Sequence, residues 1–232
     1  MDDLTVILPV YNEKESVERV IKEWATELNK CSVRYHLMVC EDGSTDGTKQ
    51  VLERIKKQYR LILNQQGTRR GYGNAIVDGL KATVSRYVLC IDSDGQCDPR
   101  DFRKFWLYRN QSLVLIGWRT KRADVAQRKV FSFLFKTLFS LLFPLSIHDP
   151  SAPFVLCQTT AIIPHLRYLT FLREGFWWGF IGMCMKKDLM VREIPIRHRP
   201  RFNGNTQVYT INKIPAIAVK NIIGLILLKL AK

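Results

Sequence analysis

The sequence predicts an α/β fold, a mostly parallel sheet flanked by helices, with amphipathic interface helices toward the C-terminus. Three observations carry this. Short apolar runs alternate with helical-period segments every ~10–15 residues through the first half of the chain. Polar loops bearing carboxylates follow several of those runs, at the strand ends where open α/β sheets bind ligands. Beyond residue 120 the alternation gives way to long Phe- and Leu-rich stretches.

Leu4–Val10 (LTVILPV) is a β-branched apolar run, as a strand buried on both faces would be. Ser16–Asn29 spaces Val17, Val20, Ile21, Trp24 and Leu28 as one helical face. Tyr35–Cys40 reads as a second strand and Thr48–Tyr59 as a second helix. Leu61–Leu63 is a short strand, Gly73–Ser85 a helix, Tyr87–Ile91 a strand, Asp101–Arg109 a helix and Leu113–Gly117 a fifth strand. Arg128–Leu145 is apolar nearly all round. It reads either as a helix buried under the sheet or as one lying in a membrane interface, with Arg128, Lys129 and Lys136 at the headgroups. In Ile214–Leu230, Lys220 and Asn221 interrupt the ~20 apolar residues that a membrane span needs, so a docking or amphipathic helix is expected. The organisation read from this is one catalytic domain over 1–207, including the 128–145 interface helix, and a C-terminal helix within 208–232.

The 232 residues hold 36 Lys and Arg against 21 Asp and Glu, a net charge of +15. Residues 1–99 carry 14 basic and 15 acidic side chains, leaving 22 and 6 for residues 100–232, so the halves stand at −1 and +16. A basic second half predicts an anionic partner: a phosphate, a nucleic acid or a lipid surface. The six cysteines form no Cys-x-x-Cys pair, and Cys40 and Cys90 lie in apolar runs, which predicts free buried thiols and excludes a disulfide-stapled miniprotein. Asp2 and Asp3 contradict the basic start of a secretory leader, so a cytoplasmic protein, peripheral at the cytoplasmic membrane face, is expected.

The chemistry concentrates in three loops: Pro9-Val10-Tyr11-Asn12-Glu13, Glu41–Thr48 (EDGSTDGT) and Asp92–Gln96 (DSDGQ). Each alone is an ordinary turn or cap. Together, at the tips of neighbouring strands, they gather like charges that need a compensating cation or donor-rich ligand. Residues i and i+2 of an extended segment point the same way, so Asp92 and Asp94 can serve one Mg²⁺ or Mn²⁺ ion that keeps positions open for substrate phosphates. Asp42 and Glu13 can accept hydrogen bonds from a base or ribose, and Tyr11 can stack on a base. No P-loop and no glycine-rich dinucleotide fingerprint is present. A nucleotide-sugar site fits these features better than a nucleic-acid binder, for which paired carboxylates at strand tips have no use.

Val6–Glu13 (VILPVYNE), Glu41–Thr48, Arg70–Leu80 (RGYGNAIVDGL) and Asp92–Gln96, in this order, resemble the family 2 inverting glycosyltransferases of the GT-A type, and among them the polyprenyl (dolichyl) phosphate mannosyltransferases. The resemblance implies that Pro9, Tyr11, Glu13, Cys40 and Asp42 line a nucleoside pocket. It implies that Asp92, with Ser93, contacts the nucleotide, and that Asp92, Asp94 and Gln96 hold the metal and diphosphate. Arg119 in Gly117-Trp118-Arg119 would reach the sugar phosphate, and Arg201 and Gln207 belong to the family's phosphate motif. The chain departs from that pattern at Glu41, at Asp149–Phe154 (DPSAPF) and at Gln207, where the family carries Asp, a Gly-bearing stretch and Lys.

The expected reaction is transfer of a sugar, foremost mannose from GDP-mannose, to a polyprenyl phosphate or related lipid, with Asp94, Arg119 and Glu174 as catalytic residues and Mg²⁺ or Mn²⁺ as cofactor. A soluble enzyme glycosylating a hydroxyl from GDP-mannose or UDP-glucose is the alternative. Only a hydroxyl acceptor needs a base, for which Glu174 in Arg173–Trp178 (REGFWW) is the candidate, its other reading being a salt bridge with an arginine. Trp177 and Trp178 read either as core anchors or as a sugar-stacking platform. Arg197 and Arg199 join Arg119 and Arg201 as candidate phosphate cations.

Overall fold

The computed structural model describes residues 3–120, 135–143, 147–172, 175–202 and 214–231. Strand β1 (Leu4–Val10) is buried along its whole length between β2 (Tyr35–Glu41) and β4 (Tyr87–Cys90). The described residues form a seven-stranded sheet, with β3 (Ile62–Gln65), β5 (Val114–Arg119), β6 (Val155–Gln158) and β7 (Val191–Ile196), in the order β3-β2-β1-β4-β6-β5-β7. Of these strands, only β6 runs antiparallel to its neighbours, β4 and β5.

Alternation along β1 splits the core. Ile7 faces a cluster built with Met38, Ile76, Leu80 and Phe180, whereas Val6 and Leu8 face one built with Ile21, Trp24, Leu52 and Phe102. The second cluster belongs to α1 (Val17–Lys30), α2 (Thr48–Tyr59) and α4 (Phe102–Tyr108). The first is covered by α3 (Tyr72–Ala82), the short α5 (Thr159–Ile162) with its 3₁₀ continuation Ile163–Thr170, and α6 (Phe176–Lys186). The sheet is therefore helix-covered on both faces, as the alternation predicts.

Two strands escape a pattern reading. β6 is four residues long, and β7 contains Pro195, which normally argues against a strand. β7 sits at the sheet edge, where a missing backbone N–H costs nothing. The helix expected from 128 to 145 lies partly outside the described residues. Within it, residues 135–142 are helical, with Phe139 buried and Leu141 exposed. Phe143, just past the end of that helix, is also buried and its ring stacks on Phe139.

The C-terminal helix α7 (Ile214–Leu230) docks through Ile217, Asn221, Leu225 and Leu228. Asn221 Oδ1 accepts the Gly175 N–H at 3.1 Å, so the polar residue in this apolar run fastens α7 to the start of α6. The outward side carries Val219, Ile223, Ile226, Leu227 and Leu230, all exposed. Among the described residues, no helix is long and apolar enough to cross a membrane.

Candidate active site

Parallel register brings the three loops together. Val10 pairs with Glu41 and Ile7 with Cys90, so β1, β2 and β4 end at one edge of the sheet. Side chains then lace the tips. Ser44 Oγ accepts the Asn12 N–H at 2.9 Å, Asn12 Oδ1 accepts the Thr45 N–H at 2.9 Å, and Ser93 Oγ donates to the Pro9 carbonyl at 2.8 Å. Pro9 and Ser93 thus join the first and third loops from below.

Asp92 and Asp94 stand close enough to influence each other's ionisation. Burial, then the charge of Asp94, pushes the Asp92 carboxyl up from 3.8 to about 7, against a hydrogen bond from the Tyr72 hydroxyl at 2.7 Å. Asp94 is buried and accepts the Gln96 N–H at 3.0 Å, which closes the turn. At Gly95 φ is +79°, and a Cβ there would run into the Phe202 ring. Only glycine lets the acidic loop and the 199–202 segment approach this closely. Arg201 spans the gap, pairing with Glu13 and lying 3.8 Å from Asp94. Glu13 is raised above its ordinary value, chiefly by burial, with Ser16 and Arg201 opposing. Glu13, Asp92, Asp94 and Arg201 thus form one cluster; the motif spacing predicts the Asp92–Asp94 pair, whereas Glu13 is expected on the opposite side with Asp42.

Hard carboxylate oxygens, one of them held proton-prone by its neighbour, suit an ion such as Mg²⁺ or Mn²⁺, which takes one or two carboxylates and leaves its other positions to water and phosphate. Among the described residues there is no cage of three or more His, Cys, Asp or Glu side chains. Gln96 turns its Nε2 toward the Arg199 carbonyl at 3.4 Å.

On the opposite side Asp42 clamps a loop. Its two oxygens accept the Arg70 N–H at 2.6 Å and the Gly71 N–H at 2.8 Å, fixing the entry to α3. Glu41, the acidic departure from the family pair, is fully buried: it accepts the Ser44 N–H and lies 3.6 Å from Lys49. It shapes the loop, while the neighbouring Asp42, also buried, holds the 70–71 backbone. Arg69 covers the Tyr11 ring at 4.1 Å, so a base stacking on that face would replace or join the guanidinium. Cys40 lines a crevice with Asp42, Asn64, Gln66, Arg70 and Asp78. Its thiol lies against Gly79 and is pushed up to about 12 by burial, so it contributes shape rather than chemistry.

The arginines divide by partner. Arg197 is anchored on Asp101 at 3.0 Å and Asp98 at 3.5 Å. Arg199 pairs with Glu23 at 2.9 Å and donates to the carbonyls of Gly95 and Cys97. These two hold the acidic loop and the 197–202 segment together. Arg119 is clasped by Asp149, Nε to Oδ2 at 2.6 Å and Nη2 to Oδ1 at 2.9 Å, with Ser151 at 2.8 Å. The Asp149–Phe154 stretch thereby orients Arg119. Trp177 is buried, and Trp178 packs on Phe135 and Phe139 at 4.8 and 5.1 Å, so both serve as packing anchors. Glu174 and Gln207 lie outside the described residues.

Sequence reasoning missed Tyr72 as a site residue; its place in the Arg70–Leu80 motif, directly after Gly71, was the available signal.

The fold and the strand-tip carboxylates define a GT-A-type glycosyltransferase architecture. Residues 5–162 match the model of glycosyl transferase family 2, and the chain belongs to that family. Among curated proteins it is 28% identical over 152 residues to dodecaprenyl-phosphate galacturonate synthase of Rhizobium johnstonii (63% of this chain, 45% of that protein). It is 27% identical over 225 residues to dolichyl-phosphate β-glucosyltransferase of Saccharomyces cerevisiae (83% and 66%). The chain thus spans between about two fifths and two thirds of the length of the curated relatives it matches. Among solved structures, glucosyl-3-phosphoglycerate synthase from Mycobacterium tuberculosis bound to UDP superposes with a TM-score of 0.71 at 20% identity, covering 98% of this chain and 80% of that one. At that identity the likeness shows the fold.

Proposed function

We propose that the chain is the catalytic unit of an inverting glycosyltransferase that moves a sugar from a nucleoside diphosphate to a polyprenyl phosphate. The observation that carries this is the cluster of Asp92, Asp94, Glu13 and Arg201 at the tips of β1 and β4, beside the Asp42 clamp. Asp92 and Asp94 would bind Mg²⁺ or Mn²⁺, with Gln96 beside them; the bound cation supplies charge neutralisation on the leaving diphosphate. Glu13, Asp42 and Tyr11 receive the nucleoside. Arg201 exchanges its carboxylate partners for phosphate oxygens, and Arg119, oriented by Asp149, faces the sugar phosphate. The acceptor phosphate is already anionic and attacks the anomeric carbon opposite the leaving group without a base.

Two features support a lipid acceptor. The curated relatives named above act, by name, on polyprenyl phosphates. The exposed apolar side of α7 and the +16 charge of residues 100–232 suit a peripheral position on an anionic bilayer. The resemblance to polyprenyl phosphate mannosyltransferases puts GDP-mannose forward as donor. UDP-glucose stands beside it, because a relative aligned over most of this chain is a glucosyltransferase and a structural neighbour holds Mn²⁺ with UDP-glucose.

The test is transfer by purified protein to a polyprenyl phosphate in detergent, with Mn²⁺ and each of GDP-mannose, UDP-glucose and a UDP-uronate. One donor should yield a lipid-linked sugar, and chelation or Asp94→Asn should abolish it. Transfer to a hydroxyl acceptor alone, or no transfer to any acceptor, contradicts the proposal.

A further inference from the structure

A half-buried chain of hydrogen bonds ends on Asp92. Trp177 Nε1 lies 2.8 Å from the Tyr72 hydroxyl, which lies 2.7 Å from Asp92 Oδ1. An indole N–H only donates, so the tyrosine oxygen accepts from Trp177 and its single proton goes to Asp92. The direction is fixed: Trp177 to Tyr72 to Asp92. Phe176 packs edge-on against both rings, at 6.2 Å from Tyr72 and 5.0 Å from Trp177. Tyr72 opens α3 directly after Gly71, whose N–H is held by Asp42, and Trp177 lies in the first turn of α6. A phenyl ring at position 72 would fill nearly the same space. What the hydroxyl and the indole add is a donor aimed at one carboxylate oxygen.

We propose that Tyr72 and Trp177 are positioning residues for the cation site. They claim Oδ1 of Asp92 and leave Oδ2 for the metal and diphosphate. This rests on the reading of Asp92 and Asp94 as the metal pair. Outer-sphere partners of this kind orient a ligand and sharpen its affinity without touching the ion. The chain also ties the helix of the REGFWW segment to the donor side of the cleft, which gives the buried tryptophan a task that packing alone does not.

The test uses the full chain and electron paramagnetic resonance of free Mn²⁺, with UDP or GDP present, on wild type, Tyr72→Phe, Trp177→Phe and Asp92→Asn, alongside thermal unfolding. Tyr72→Phe should weaken Mn²⁺ binding about tenfold or more. Trp177→Phe should weaken it less, because Tyr72 still donates but is no longer held. Asp92→Asn should remove the specific binding. A Tyr72→Phe protein that melts lower yet binds Mn²⁺ as tightly as wild type, while Asp92→Asn does not, overturns the positioning role alone. If Tyr72→Phe does not fold, unchanged Mn²⁺ affinity in Trp177→Phe overturns it equally. Undiminished binding in Asp92→Asn would instead bring down the metal reading itself.

Discussion

Replacing Asp92 by Asn should stabilise the metal-free protein at pH 8 and not at pH 5. Burial and Asp94 raise this carboxyl from 3.8 to about 7. The folded state therefore binds its proton more tightly than the unfolded chain does. Between about pH 4 and 7 the folded form holds more protons, so stability falls as pH rises through that window. The full shift corresponds to about 4 kcal/mol against the ionised form at pH 8. The substituted amide would still accept the Tyr72 hydroxyl but must place its NH₂ group beside Asp94, so we expect roughly half of that, about 2 kcal/mol. For a domain of this size that is a melting temperature about 4–8 °C higher. At pH 5 the wild-type carboxyl is already protonated and the two proteins should melt together. Differential scanning calorimetry with chelator at both pH values is the assay. Equal effects at the two pH values, or destabilisation at pH 8, would refute the reasoning that this carboxylate pair is held at a cost to stability.

Mn²⁺ binding near pH 6 should release about one proton from Asp92, seen as a buffer-dependent enthalpy in titration calorimetry; no release contradicts a protonated resting state. Asp42→Ala should cost about 2–3 kcal/mol in urea unfolding, since two backbone N–H groups lose their acceptor, and should abolish donor binding. Gly95→Ala should cost about 2 kcal/mol or more, and Phe202→Ala should recover part of it by removing the clash while the positive φ remains. Asp149→Ala should cost about 3–5 kcal/mol, because the half-buried Arg119 guanidinium loses its bidentate carboxylate. Glu174→Gln should leave transfer to a lipid phosphate largely intact in a radiolabelled-donor assay and cripple transfer only if a hydroxyl is the acceptor.

The first half of the fold was legible because each element states its own period. β1 is continuously apolar, α1 repeats Val17, Ile21, Trp24 and Leu28 on one face, and α2 is bounded as its pattern reads. β6 and β7 were not, because β6 falls outside the regular strand–helix alternation of the first half and Pro195 belongs to an edge that only pairing reveals. The carboxylate cluster was legible from loops falling at successive strand ends. The division among the arginines was not: Arg197, Arg199 and Arg201 alternate along one short stretch, yet Asp101, Glu23 and Glu13 claim one each from across the fold. Such pairings depend on tertiary distance, which a run of like charges does not encode. The tryptophans show the same limit, since the burial of Trp177 and the ring contacts of Trp178 depend on tertiary packing.

The most direct measurement is the anomalous density of Mn²⁺ in crystals grown with the ion and the nucleoside diphosphate of the preferred donor. A single strong peak within bonding distance of Asp92 and Asp94, touching the diphosphate and lost in Asp94→Asn, is the result expected. A nucleotide seated elsewhere on the sheet, or a diphosphate bound with no ion beside either aspartate, would contradict the account.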